Sequence, residues 1–203
     1  MRNRSGKSGN TKRKPGSRPE IRPLAGARRR TTVFLVGFMG AGKTSVGRAL
    51  GRLLDWPFED LDDRIQHREG KTIAQIFQER GETAFREMER HVLSSTLANN
   101  RSPLVLALGG GAFVDAQNQT RLRSANVPAV FLDAPVAELF ERSEQPGIAR
   151  PLRRDRDEFC RLYEQRRPEY LKATICVQTS GKEIGVVAEE IILALNLKSG
   201  VTD

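Results

Sequence analysis

Gly37-Phe38-Met39-Gly40-Ala41-Gly42-Lys43-Thr44 has the spacing G-x-x-x-x-G-K-T, which suits a polyphosphate. An anion of that kind needs converging backbone N–H groups. Glycines let the chain curl without Cβ clashes, and a following helix adds the positive end of its dipole. Lys43 is placed to reach the β/γ-phosphates and Thr44 to offer a hydroxyl to Mg²⁺, so the loop predicts a magnesium nucleotide.

A second group of polar residues stands at Asp60 and Asp62, where the apolar stretch Phe58 to Asp60 gives way to a helical pattern. Strand alternation would put both carboxylates on one side of the chain. Asp60 then serves the hydrated metal ion and Asp62 the hydroxyl to be phosphorylated. The competing reading is capping of the next helix by Asp62 or Asp63.

Three consecutive glycines, Gly109, Gly110 and Gly111, follow the apolar run Leu104 to Leu108. One glycine suffices for a tight turn, whereas three let a ligand approach bare amides. Both readings stay open on spacing alone. Arg86 flanks the apolar stripe Phe85, Met88, Val92 and Thr96, with Glu89 three residues on to hold its guanidinium. Arg166 continues the stripe of Phe159, Leu162 and Tyr163. A guanidinium there meets either an internal carboxylate or a ligand anion.

The elements that must carry these residues alternate. Short apolar runs at Thr32 to Val36, Phe58 to Asp60, Leu104 to Leu108, Val127 to Leu132 and Thr174 to Gln178 are separated by helical patterns. This rhythm predicts a mainly parallel sheet covered by helices, with ligands at the carboxyl ends of the strands. The polar stretch 143–157 interrupts it with Arg150, Arg153, Arg154 and Arg156, and Arg142 stands just before. Such a stretch is either a solvated loop or an arginine-bearing flap that closes over phosphates, and the phosphate loop favours the flap.

The chain has 203 residues and a formal charge of +9, enough for one α/β domain with a sizeable core. The charge is unevenly spread: residues 1–30 hold 11 of the 34 Lys/Arg and one of the 25 Asp/Glu, so the rest is nearly neutral. Residues 1–30 are read as a disordered basic tail, since they lack the apolar surface to offset ordering entropy. The catalytic domain is expected over residues 31–203. A nucleic-acid partner is not expected from so local a charge. No apolar run approaches the roughly 18 residues of a membrane helix, and no signal segment is visible, so the expected location is the cytoplasm. The two cysteines, Cys160 and Cys176, lack metal-type spacing, and His67 and His91 sit in charged helical stretches without a partner in metal spacing.

In order, the phosphate loop, Asp60-Leu-Asp62, Phe85-Arg86-Glu-Met-Glu89, Gly109-Gly-Gly111, Arg150-Pro-Leu and Arg166-Arg-Pro-Glu-Tyr170 resemble shikimate kinase across residues 31–197. The resemblance implies a P-loop kinase fold like that of the nucleoside monophosphate kinases, with a five-stranded parallel sheet, a substrate-binding helical section and a lid. It implies transfer of the ATP γ-phosphoryl to shikimate, and a monomer is expected. Gly40, Ala41, Gly42, Lys43, Thr44 and Ser45 would wrap ATP, with Thr44 as Mg²⁺ ligand. Asp62 would bind the ring hydroxyls, Gly110 would offer an amide, and Arg86 with Arg166 would grip the shikimate carboxylate. Arg150 would meet the moving phosphate, Arg142 would stack on adenine, and the stretch near Lys182 would border the nucleotide. The lid reads Arg-Pro-Leu-Arg where Arg-Pro-Leu-Leu is more usual, and the basic tail lies outside the pattern. The alternatives are a gluconate-kinase-like enzyme and a regulator that reuses the fold as a ligand sensor, with its tail on DNA.

Overall fold

The computed structural model describes residues 32–98, 102–144 and 155–197. The basic tail, Arg150 and most of the expected lid lie outside the described residues. Five strands, β1 (Thr32–Val36), β2 (Phe58–Asp60), β3 (Leu104–Ala107), β4 (Ala129–Asp133) and β5 (Ile175–Gln178), form one sheet in the order β2-β3-β1-β4-β5. Every pairing is parallel. The helices are α1 (Lys43–Leu54), α2 (Leu61–Glu69), α3 (Ile73–Ala98), α4 (Ala116–Ser124), α5 (Val136–Ser143), α6 (Arg156–Tyr170) and α7 (Ile184–Leu195). Among the described residues no helix is long and apolar enough to cross a membrane.

The interior strands explain themselves by burial. All five residues of β1 and all five of β4 are buried, which is why both read as unbroken apolar runs rather than alternating ones. The edge strand β2 has three half-buried residues. The fourth strand starts at Ala129 rather than at Val127, because Pro128 has no N–H to give to the ladder; its carbonyl instead accepts from Phe34 N–H at 3.0 Å. The strand also runs one residue further than the apolar run suggests, to Asp133.

Because β1 is central, with β3 on one side and β4 on the other, the crevice above its carboxyl end is where a doubly wound sheet gathers its ligands. The loop Gly37 to Gly42 leaves β1 at that crevice. Phe38 in this loop is fully buried and packs edge-to-face on Phe159 at 4.9 Å and Tyr163 at 5.5 Å. Thus the phosphate loop is fastened to α6, the helix that carries Arg166. Helix α3 bends at Gly81, whose φ of 74° and ψ of 175° are non-helical.

Candidate active site

Lys43 opens α1, behind Gly42 at φ 84°. No side chain caps this helix, so its first N–H groups and dipole face the loop, as an anion requires. The curl is obligatory at Gly40. Its φ is 76°, and a Cβ there would lie 3.0 Å from the Leu139 carbonyl carbon, so a side chain meets both strain and backbone. Lys43 Nζ donates to the carbonyls of Gly37 at 3.0 Å and Phe38 at 3.1 Å, which holds the ammonium inside the cradle. Thr44 and Ser45 are exposed at the helix mouth.

The two aspartates divide their roles differently from the strand-alternation expectation. Asp62 is not a strand residue; it is the second residue of α2. The cap of α2 is neither Asp62 nor Asp63 but Asp60, whose Oδ1 accepts the Asp62 N–H at 3.0 Å. The helix begins one residue after the strand ends, so alternation stops before it reaches Asp62. Capping is therefore what turns the Asp62 side chain inward, against Gly109. Burial first, then the neighbouring Asp62, push the Asp60 carboxyl up to about 6, while Lys43 pulls the other way. The Asp60 carboxyl is thus within electrostatic reach of the phosphate-loop lysine, and a divalent cation would relieve its cost.

The glycine triplet is a wall with one of the sequence-predicted site residues against each member. A Cβ on Gly109 would stand 2.8 Å from Asp62 Oδ1, one on Gly110 would stand 3.4 Å from Arg166 Nη1, and one on Gly111 would stand 2.6 Å from Arg86 Cζ. Three residues from α2, α3 and α6 therefore converge on three consecutive positions. The triplet does enter a turn, closed by Ala112 N–H donating to Gly109 O at 3.0 Å, and the missing side chains also make room for these groups.

Arg86 is held by two carboxylates. Nη1 donates to Glu89 Oε2 at 2.5 Å, while Nη2 and Nε donate to Glu82 Oε1 at 2.9 and 3.3 Å. Burial works against the charge, yet Glu89 and Glu82 outweigh it and raise the Arg86 pKa. Of the five N–H groups a guanidinium carries, two remain beyond these three bonds for an incoming anion. Glu89 is 1% exposed. Burial pushes its carboxyl up to about 7, against the pull of Arg86.

Arg166 is half-buried and faces Gly110. The internal carboxylate that would have made it structural is taken by its neighbour: Arg167 Nη2 pairs with Asp133 Oδ2 at 2.8 Å. Tyr163 also donates to Asp133 Oδ1 at 2.9 Å, and Gln178 Nε2 donates to Oδ2 at 3.2 Å. Burial, with Asp133 beside it, pushes the Tyr163 phenol up to about 12. This buried network at the end of β4 was not foreseen. Nothing in the apolar run Val127 to Leu132 marks the next residue as the anchor of a helix.

On the far side, Arg142 donates to Thr179 Oγ1 at 3.2 Å and pairs with Glu138. Lys182, in the same loop as Thr179, turns its ammonium to Glu190 Oε1 at 2.7 Å. The structure thus brings Arg142 and the loop of Lys182 together beside β5, apart from the glycine wall. His67 and His91 are exposed.

A parallel sheet in this order, with a phosphate loop after its central strand, defines a P-loop kinase. The shikimate kinase family model matches residues 39–196. A shikimate kinase of Caulobacter vibrioides is 41% identical over 170 residues, covering 82% of this chain and 83% of that protein. One from Cereibacter sphaeroides is 38% identical over 194 residues, covering 94% and 95%. The solved shikimate kinase from Acinetobacter baumannii in complex with shikimate superposes with a TM-score of 0.74 at 35% identity, over 83% of this chain and 96% of that one. The chain belongs to the shikimate kinase family. A gluconokinase from Sinorhizobium meliloti, with a TM-score of 0.53 at 18% identity, shares the fold alone.

Proposed function

We propose that this protein transfers the γ-phosphoryl group of ATP to the 3-hydroxyl of shikimate, giving shikimate 3-phosphate and ADP. The observation that carries this reading is the convergence of Asp62, Arg86 and Arg166 on Gly109, Gly110 and Gly111. One carboxylate and two guanidiniums around a bare backbone suit a small hydroxylated carboxylate. A neutral sugar would offer no anion to Arg166 or to the two remaining N–H groups of Arg86.

In this reading Arg86 and Arg166 grip the acceptor carboxylate, and the ring hydroxyls face Asp62. The 3-oxygen attacks the γ-phosphorus as the bond to the β,γ-bridging oxygen breaks, and its proton passes to Asp62. Residues Gly40 to Ser45 wrap the triphosphate, Lys43 offsets charge on the moving phosphoryl, and Arg150 of the lid joins it. Arg142 and the loop of Lys182 border the base. The exposed hydroxyl of Thr44 and the raised carboxyl of Asp60 fit Mg²⁺, which when bound would neutralise phosphate charge. The lid over residues 143–157 and the separate tail over residues 1–30 belong to the same proposal.

The test is ADP release with ATP and a panel of acceptors: shikimate, gluconate and other hydroxy acids. Turnover with shikimate alone is expected. Equal turnover with gluconate, or none with shikimate, overturns the assignment.

A further inference from the structure

The glycine wall has a backbone that must be held in one orientation, and its three carbonyls are held by different means. Gly109 O accepts from Ala112 N–H at 3.0 Å, and Gly111 O accepts from Val114 N–H at 3.1 Å and Asp115 N–H at 3.3 Å. Those donors belong to the turn that follows. Gly110 O instead accepts from the hydroxyl of Tyr170 at 2.6 Å, sixty residues along the chain. Tyr170 is fully buried and stacks on Phe131 with ring centroids 5.3 Å apart, so its hydroxyl has a fixed address.

The peptide between Gly110 and Gly111 joins the residue that faces Arg166 to the residue that faces Arg86. Both residues flanking it are glycines, so a flip of that peptide plane meets no Cβ on either side. A flip would turn the carbonyl oxygen into the space meant for an anion. The feature that gives the acceptor close access to the backbone also leaves this one peptide free to turn.

We infer that Tyr170 is a positioning residue for acceptor binding: its hydroxyl locks the Gly110–Gly111 peptide and keeps the Gly110 oxygen out of the space between Arg86 and Arg166. Three other residues of α6 support the lock. Arg167 and Tyr163 fasten the same helix to Asp133, and Glu169 accepts from Gln119 Nε2 at 2.8 Å, so α6 presents Tyr170 from a braced position.

The inference rests on the acceptor reading above, and the experiment separates the two. Wild type, Tyr170→Phe and Phe131→Leu are compared by steady-state kinetics and by calorimetric titration with shikimate and with ATP. Tyr170→Phe keeps the ring and its stack but leaves the Gly110 carbonyl without its donor. Its shikimate KM and Kd should rise about tenfold or more, with the ATP values unchanged. Phe131→Leu loses the stack and should lower Tm without that loss of shikimate affinity. For an acceptor analogue lacking the carboxylate, the ratio of variant to wild-type Kd should fall toward one. Replacing Tyr170 by 4-aminophenylalanine restores a donor and should restore shikimate binding. An unchanged shikimate Kd in Tyr170→Phe, an equal loss in Phe131→Leu, or no rescue by the amino analogue overturns the role of Tyr170 while wild-type turnover still supports the function. Absence of shikimate turnover in the wild type overturns both.

Discussion

Gly111 lies directly beneath the guanidinium of Arg86: a Cβ at this position would come within 2.6 Å of Arg86 Cζ. The arginine has little freedom to step aside, because Glu89 and Glu82 hold it at three nitrogens. Gly111→Ala should therefore displace Arg86 and cut kcat/KM for shikimate by about 100-fold, the usual scale for a misplaced binding group. Binding of ATP should be untouched. Parallel titrations with the two substrates check this, and equal losses for both would mean a general collapse of the loop.

Asp62 faces Gly109 from the first turn of α2, and in the proposed reaction it takes the proton of the acceptor hydroxyl. Asp62→Asn keeps the shape and removes the base. Turnover should fall by about 100- to 10,000-fold, with ATP affinity within about twofold of wild type. Single-turnover kinetics measure the chemical step directly. Normal rates in this variant would remove Asp62 from proton transfer.

Arg166 differs from Arg167 in what it touches, although the two are adjacent. Arg167 is engaged by Asp133, whereas Arg166 faces the glycine wall. Arg166→Lys loses the planar fork and should weaken shikimate about tenfold with little change in Tm. A large drop in Tm with unchanged affinity would make Arg166 the structural member of the pair.

Glu89 gives a pH signature. Its carboxyl titrates near 7 in the folded protein against an ordinary value of 4.5, so the folded state holds the proton longer than the unfolded chain. Stability from this group is complete below about pH 4.5 and is lost as pH rises through about 7. In Glu89→Gln that slope should disappear. The wild-type advantage over the variant should shrink by a few kcal/mol, in order of magnitude, between pH 4.5 and 8. Urea midpoints across that range measure it, and a gap that widens with pH would contradict the sign.

The elements were legible in the sequence wherever the signal was local. The Gly37 to Thr44 spacing lies between an apolar strand and a helical pattern, and every strand core except the edge strand β2, Phe58-Glu59-Asp60, shows as an apolar run. Arg86 with Glu89 could be read because three residues separate them on one helix. The failures have two causes, an element boundary that periodicity leaves loose and dependence on a distant partner. Asp60 proved to be the cap because the helix starts at Leu61, a boundary that periodicity does not fix. Asp133 receives Tyr163 from 30 residues away and Gln178 from 45, and Tyr170 reaches Gly110 across 60. No periodic pattern links such positions. Phe38, at a position the phosphate-loop spacing leaves open, pins that loop to α6 through partners more than 120 residues away.

Arg86 belongs to α3, one of two helices between β2 and β3, and Arg166 to α6, one of two between β4 and β5, and the central strand β1 separates these two strand pairs in the sheet. A ligand carboxylate held by both acts as a clasp across the two flanks of the sheet. Its occupancy would slow amide hydrogen exchange in α3 and α6 together, including turns that never touch it. The acceptor would then stiffen the molecule from both edges inward before any phosphoryl group moves.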